Sequence, residues 1–132
     1  MNIVVVDTNI LIDYIHGFAP WLKLLLHKRQ EFTLVVPTIV TAEYLTAEEN
    51  EDQNYRIRTK GYLKLFKIQD LTYEISEILG DILRRKTYLK GAGIGDLIIA
   101  STTLYFAGEL ATRNQKDFAK IPNLRFFDPN TL

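Results

Sequence analysis

A short run of β-branched residues near the start of the chain constrains the fold most. Residues 3–6 read Ile-Val-Val-Val, and Asp7, Thr8 and Asn9 follow at once. Such a run is typical of a strand that is buried on both faces, as in a parallel sheet. Asp, Thr and Asn are residues that commonly begin helices. The segment therefore predicts a strand, a sharp turn and a helix, with Asp7 at the carboxyl end of the strand.

Strand-like and helix-like segments alternate along the rest of the chain. Apolar periodicity predicts an amphipathic helix after Thr72 and an almost wholly apolar, buried helix that begins at Asp96. Further strands are predicted at residues 32–36, 67–71, 109–112 and 124–127, further helices at 10–15, 19–29, 38–45 and 55–66, and a polar, solvated corner at 48–54. This alternation predicts an α/β fold, a three-layer α/β/α sandwich with a central, mostly parallel sheet. A length of 132 residues predicts a single domain, residues 1–132.

The composition excludes several classes of protein. With 47% apolar and 24% charged residues, the chain has the composition of an ordinary globular protein and is not a disordered one. Its apolar stretches are too short to cross a bilayer, and the N-terminal segment lacks the features of a secretory signal, so we expect a cytoplasmic protein without membrane contact. The absence of cysteine excludes thiolate metal sites and a cysteine nucleophile. Because 16 basic and 16 acidic residues balance, any nucleic acid must bind through local patches or metal.

Four acidic residues fall where a ligand site of an α/β sheet is expected. They are Asp7, Glu43, Asp96 and Asp117, and all four are predicted to face the carboxyl ends of the strands. Carboxylates held close together repel, and one of them would have to take up a proton. A divalent cation removes this conflict, and Mg²⁺ prefers oxygen ligands. A metal held this way can polarise a phosphoryl oxygen and activate water, which favours phosphodiester hydrolysis as the chemistry.

The segments that carry these residues resemble the successive motifs of PIN-domain nucleases, and are most similar to the VapC-type toxins of VapBC toxin–antitoxin systems. The matching segments are residues 4–9, 37–43, 95–100 and 112–118, so the similarity covers almost the whole chain. The resemblance implies an endoribonuclease that acts on RNA with one or two Mg²⁺ or Mn²⁺ ions. It also implies a homodimer and a cognate antitoxin protein as partner.

The resemblance also assigns roles to individual positions. Asp7, Glu43, Asp96 and Asp117 match the family's acidic metal-binding set, which is complete in this chain. Supporting positions are Thr8 and Asn9, which match the polar pair after the first Asp, and Thr112 and Asn114, which match the polar positions that orient the last acidic residue.

Each acidic residue taken alone has a simpler explanation. Asp7 and Asp96 both suit the first turn of a helix, where a carboxylate caps the helix or favours its dipole. Glu43 is of a type usually found on solvated helix faces, and Asp117 is an ordinary loop residue. The metal site is therefore predicted from the set and not from any one member.

Basic side chains near Asp117 are the favoured contacts for RNA phosphates. Arg113 and Lys116 lie beside it in sequence, whereas residues 84–86 and Lys90 suit a solvated helix end. The glycines at 91, 93 and 95 follow a basic helix tail and not a strand, so they do not make a dinucleotide-binding loop.

Two other functions remain open at this point. A haloacid-dehalogenase-like phosphatase would also carry an Asp after its first strand, but it normally has a second Asp two positions later, where this chain has Asn9. The third hypothesis is a non-enzymatic binding module, such as a degenerate PIN-like scaffold or a phospho-receiver domain. A receiver usually has an acidic pair at this strand end, and a degenerate scaffold should have lost acidic positions.

Overall fold

A five-stranded parallel sheet forms the centre of the molecule in the computed structural model, which describes residues 2–132. The strand order is β3-β2-β1-β4-β5, and every neighbouring pair is parallel. The strands are β1 (Asn2–Val6), β2 (Phe32–Pro37), β3 (Lys67–Gln69), β4 (Glu109–Ala111) and β5 (Arg125–Phe126). The predicted α/β fold with a central parallel sheet is thus confirmed.

Helices connect the strands and cover the sheet. They are α1 (Thr8–Ile15), α2 (Pro20–His27), α3 (Thr38–Tyr44), α4 (Gln53–Leu63), α5 (Tyr73–Arg85) and α6 (Ile94–Tyr105), with short 3-10 helices at Glu48–Glu51, Gln115–Phe118 and Pro129–Thr131. Thr72 caps α5 as predicted, because its side chain accepts a hydrogen bond from the Ile75 backbone. Within residues 2–132, no helix has the length and apolar character needed to cross a membrane.

The hydrophobic core surrounds β1, as the β-branched sequence of this strand predicts. Val4, Val5 and Val6 are completely buried, so β1 is covered on both faces. Helix α6 packs against β1, β2 and β4 and is the central helix of the fold. This helix also contains buried hydroxyl groups. Those of Ser101 and Thr103 each donate to the carbonyl oxygen four residues earlier, at 2.7 and 2.9 Å. These bonds remove the cost of burying a hydroxyl in an apolar layer.

Gly108 allows β4 to lie beside β1. A Cβ atom at this position would lie 2.6 Å from the carbonyl oxygen of Ile3, closer than any side chain tolerates. Only glycine therefore permits this approach. The resulting register pairs Val6 of β1 with Ala111 of β4, so the residues that follow these two strands emerge side by side.

Two local predictions need correction. The helix expected to begin at Asp96 begins at Ile94 and is capped by Gly93, because a glycine at the cap position does not stop a helix from starting. The corner predicted to be solvated contains a 3-10 helix, and within it Asn50 is buried and accepts a 2.7 Å hydrogen bond from the Thr59 hydroxyl. Tertiary contact with α4, which local polarity does not report, orders this corner.

Candidate active site

The strand order creates a crevice between β1 and β4. The chain builds β1, β2 and β3 in one direction across the sheet and then returns to place β4 on the other side of β1. Ligand sites of parallel sheets lie beyond the carboxyl ends of the strands at such a reversal. Asp7 follows β1 there, and its backbone N–H donates to the carbonyl of Ala111 at 3.0 Å. The first predicted acidic residue thus lies at the switch point.

The Asp7 carboxylate is buried and held at both oxygens. The side chain is 6% exposed. Its Oδ1 accepts from the backbone N–H of Thr8 at 2.7 Å, which is the capping contact expected from sequence. Its Oδ2 accepts from the Thr112 hydroxyl at 2.7 Å and from the Asn9 amide at 3.3 Å. Capping therefore accounts for one oxygen only, and the other is oriented by residues from both sides of the crevice.

Asn9 links the two sides of the crevice. Its Oδ1 accepts from the backbone N–H of Arg113 at 3.2 Å, while its amide group lies 3.4 Å from the Thr112 hydroxyl. The Thr112 hydroxyl donates to Asp7 and accepts from the backbone N–H of Asn114 at 3.1 Å. Asn114 in turn contacts Asp117, because its backbone carbonyl accepts from the Asp117 N–H at 2.9 Å. The bond from Thr112 to Asp7, which sequence reasoning did not predict, follows from the β1–β4 register that brings the two residues together.

Asp117 lies in a 3-10 helix and not in an open loop. The helix Gln115–Phe118 follows β4 after a short connection, residues 112–114, and Phe118 within it is buried in the core. This anchor fixes the turn that carries Asp117. The sequence indicated a loop because a single turn of 3-10 helix has no apolar repeat to reveal it.

Glu43 reaches the same area from α3. The Thr8 hydroxyl lies 3.3 Å from its Oε1 and donates to it. A Cβ atom built on Gly95 would lie 3.6 Å from this same oxygen, so the start of α6 approaches the Glu43 carboxylate closely. Glu43 is itself solvent-exposed. The carboxylate therefore stands where α1, α3 and α6 meet, with one weak hydrogen bond to hold it.

The pKa of Asp96 is affected by all three of the other acidic residues. The pKa of its carboxyl is raised above the ordinary value, first because burial disfavours the charged form. The negative charges of Asp7, Asp117 and Glu43 raise it further, in that order. A hydrogen bond from the Gly93 backbone opposes the shift. Four separated segments of the chain thus place their carboxylates within one electrostatic neighbourhood.

The donor chemistry of this set fits a hard divalent cation. All four side chains offer oxygen, the ligand that Mg²⁺ and Mn²⁺ prefer, and their mutual repulsion at Asp96 is what a cation would relieve. Within residues 2–132, no three acidic or histidine side chains already stand close enough to enclose an ion. The exposed Glu43 is the member with most freedom to approach.

Arg113 has a partner that sequence reasoning missed. Its Nε lies 2.7 Å from Oδ2 of Asp13, with side chains 59% and 19% exposed, respectively. Asp13 lies on α1 one helical turn after Asn9, whose side chain accepts from the backbone N–H of Arg113, so the pair depends on a long-range contact that no local sequence pattern reports. Lys116, the other predicted phosphate contact, is exposed in the 3-10 helix beside Asp117.

The family model for the PIN domain matches residues 4–124. The chain belongs to the PIN-domain family. Proteins of this family generally use divalent metal ions. Family and fold together support a nuclease. No curated protein matches the sequence.

Solved structures similar to this chain come from VapBC and related complexes. VapBC2 from Rickettsia felis, bound to a DNA fragment from their promoter, is 26% identical with a TM-score of 0.76, covering 95% of this chain and 97% of that one. A toxin–antitoxin complex from Klebsiella pneumoniae is 30% identical with a TM-score of 0.70, covering 96% and 97%. DNA-bound VapBC from Salmonella typhimurium, at 18% identity, shows the fold alone, with a TM-score of 0.78 and coverage of 98% and 99%.

Proposed function

We propose that this chain is a metal-dependent endoribonuclease and the toxin of a toxin–antitoxin pair, with residues 1–132 acting as one PIN-like domain. The observation that carries the proposal is the convergence of four carboxylates from separate segments at the carboxyl ends of β1 and β4. It is supported by the raised pKa of Asp96, which is caused first by burial and then by the charges of Asp7, Asp117 and Glu43. Phosphodiester hydrolysis needs a cation, an activated water and a positioned phosphate, and little else from the protein. The family match supports the same chemistry.

In this proposal Asp7 and Asp96 hold the principal ion, Mg²⁺ or Mn²⁺, and Glu43 and Asp117 complete the cluster directly or through water. One or two cations held there would supply polarisation of a phosphoryl oxygen and a lower pKa for a bound water. The protein supplies orientation. Thr112 and Asn9 fix the Asp7 oxygen that faces the crevice. Such partners of a ligand residue set its direction and its basicity.

Basic side chains beside the carboxylates would hold the RNA backbone. Lys116 is exposed next to Asp117 and is free to meet a phosphate. Arg113 is already paired with Asp13, so its contribution to phosphate binding would be smaller than the sequence suggested. Because the net charge of the chain is zero, binding depends on these local groups.

An acidic crevice also suggests how a partner would inhibit the enzyme. An antitoxin arginine could pair with the carboxylates through charge-assisted hydrogen bonds and exclude cation and RNA. The similar structure from Klebsiella pneumoniae is a toxin–antitoxin complex and that from Rickettsia felis is VapBC2, which supports a cognate antitoxin here. The proposal includes a homodimer in the cytoplasm. Purification of the chain alone and with its genomic neighbour, followed by mass measurement in solution, tests both partners.

The deciding experiment is cleavage of a mixed RNA pool by purified, folded protein with Mg²⁺, with Mn²⁺ and with EDTA, beside Asp96→Asn. Asp81→Asn is the matched control, because Asp81 is an exposed helix residue paired with Arg84. We expect metal-dependent cleavage that survives in Asp81→Asn and disappears in Asp96→Asn. Equal activity in both variants would indicate a contaminant. No cleavage under any condition would favour the non-catalytic scaffold.

The phosphatase alternative has lost its support. Asn9, which stands where that class has its second Asp, donates its amide to Asp7 and so acts as a partner of the first carboxylate. The match to the PIN-domain model covers the same segment.

A further inference from the structure

A second pocket lies directly beside the carboxylate crevice. It has a volume of about 180 Å³ and lies between α1, α2 and the end of β4. Its walls include the aromatic residues Phe18, Trp21 and Phe127 and the ion pair of Asp13 with Arg113. An apolar cavity of about 150 Å³ is enough to hold a benzene ring. The pocket therefore has room for one flat aromatic ring.

Ring packing and a backbone hydrogen bond hold the aromatic side of this pocket in place. Trp21 packs against Phe127 with ring centroids 5.5 Å apart. Phe18, at the rim, is 76% exposed. Its backbone is nonetheless fixed, because its N–H donates to the Asp13 carbonyl at 2.8 Å in the turn that ends α1. Gly17, at φ +82°, makes that turn possible. An exposed aromatic ring on an ordered turn can stack on a ligand at small entropic cost.

The polar side of the pocket offers hydrogen-bond acceptors next to a cation. The Asp13 carboxylate uses Oδ2 in its 2.7 Å pair with Arg113. A carboxylate has about four acceptor positions, so capacity remains for a further N–H donor. Within residues 2–132 this is the only ion pair that Arg113 makes. The salt bridge thus holds an acceptor and a planar cation at one wall.

The pocket shares a wall with the catalytic cluster. Thr112 lines it, and the hydroxyl of this residue donates to Asp7 at 2.7 Å. The backbone of Arg113 is tied to Asn9, a second partner of Asp7. A group bound in the pocket is therefore a neighbour of whatever the carboxylates act on.

We propose that this pocket binds one unpaired RNA nucleobase that carries an exocyclic amino group, next to the scissile phosphate. The inference rests on the proposed function, since it assigns a base subsite to that nuclease. Phe18 and Trp21 supply the stacking surface on which single-stranded bases bind proteins. Asp13 accepts from the amino group, as carboxylates do with cytosine N4. Uracil lacks that donor and presents an acceptor to the carboxylate, so it binds more weakly.

Trp21 provides the measurement, because it is the single tryptophan of the chain and lines the pocket. Short oligocytidylate and oligouridylate are titrated in EDTA, and the intrinsic fluorescence is followed. The two ligands differ chiefly in an amino or a carbonyl group at one ring position. We expect quenching by both, with oligocytidylate the tighter ligand. Equal affinities, or no quenching by either oligonucleotide, would overturn the proposal.

Two variants and a matched control locate the effect. Phe18→Ala should weaken oligocytidylate binding roughly 5- to 150-fold, the usual range for a lost base–aromatic stack. Tyr73→Ala is the control, because Tyr73 is equally exposed at 74% and lines no part of the pocket. Asp13→Asn should abolish the preference for cytosine over uracil, whatever it does to overall affinity by releasing Arg113. Equal behaviour of Phe18→Ala and Tyr73→Ala would contradict the subsite.

The outcomes separate this inference from the nuclease assignment. Metal-dependent cleavage that is lost in Asp96→Asn, together with unchanged binding in Phe18→Ala, would remove the subsite and leave the nuclease. Quenching that depends on Phe18 and Asp13, with no cleavage under any condition, would support the subsite in a protein that binds RNA without cutting it. Quenching by an antitoxin peptide but by neither oligonucleotide would show that the pocket serves a protein partner, and the proposal would fall.

Discussion

The two sides of the carboxylate cluster are held very differently. Asp7 is buried, and three hydrogen bonds from Thr8, Thr112 and Asn9 fix both of its oxygens. Glu43 is exposed, and its carboxylate accepts one 3.3 Å contact from a threonine hydroxyl. One half of the site is therefore preorganised and the other half is adaptable. Loss of the buried carboxylate of Asp7 should therefore reduce catalysis most. Loss of the exposed carboxylate of Glu43 should reduce it less.

The largest expected effect comes from neutralising the fixed carboxylate. Asp7→Asn should lower metal-dependent cleavage by more than the roughly 10- to 100-fold that loss of a ligand's supporting partner produces. Glu43→Gln should lower it less, because that side chain is exposed and weakly held. Initial rates at several Mg²⁺ and Mn²⁺ concentrations measure both. A Glu43→Gln defect as large as that of Asp7→Asn would break the comparison.

Removing a support of Asp7 should have the next largest effect. Thr112→Val keeps the shape of the side chain but removes the 2.7 Å hydrogen bond to Oδ2. We expect activity to fall about 10- to 100-fold, with weaker metal binding. Thr103→Val is the control, since that buried hydroxyl bonds only within its own helix. Isothermal titration with Mn²⁺ beside the cleavage rate separates a misoriented ligand from a general loss of folding.

A smaller effect is expected from the phosphate contact. Lys116→Ala should weaken RNA binding and reduce the slope of log affinity against log salt by about 1. Arg113→Ala should change the slope less, because its guanidinium is already paired with Asp13. Binding is measured in EDTA between low and moderate salt. A larger slope change in Arg113→Ala would mean that RNA displaces Asp13 from the pair.

The smallest expected effect is on stability, and it depends on pH. The raised pKa of Asp96 means that the folded protein holds a proton that the unfolded chain has already lost, in the window above the ordinary carboxyl pKa. Stability conferred by that protonation falls as pH rises through this window. In EDTA, Asp96→Asn should therefore be more stable than the wild type at neutral pH, with the difference shrinking below the ordinary pKa. Thermal unfolding at several pH values measures this, and a variant less stable throughout would contradict it.

Local patterns were enough to predict the parallel sheet and the central helix, whereas the four acidic positions were predicted as a set, from their common edge of the sheet and from the family resemblance. The β-branched run before Asp7 and the helix after Asp96 carry their own signals, because burial leaves apolar residues at most of their positions, apart from the hydroxyl residues Ser101, Thr102 and Thr103 in the helix. What sequence reasoning missed depends on register. The partner of Thr112 follows from the pairing of β1 with β4, which no local pattern reports.

The ion pair of Asp13 with Arg113 was missed for the same reason. Its two residues are far apart in the chain and meet only after β4 lies against β1. The start of α6 was misplaced because glycine at a cap and glycine in a loop look alike in sequence.

Substitution of Gly108 should impair the protein, although this residue lies far from the carboxylate cluster. The gap beside Ile3 that admits only a hydrogen atom sits at the opposite end of β4 from Thr112, roughly 13 Å away along the strand. Any side chain at position 108 must shift β4 along or away from β1. The contact between Thr112 and Asp7, at the other end of these strands, would then be lost. A survey of inactivating substitutions would therefore mark a position with no contact to RNA or cation as though it were catalytic. Because the obstacle is the backbone carbonyl of Ile3, such a variant should lose thermal stability together with activity, which would reveal the hit as mechanical in origin.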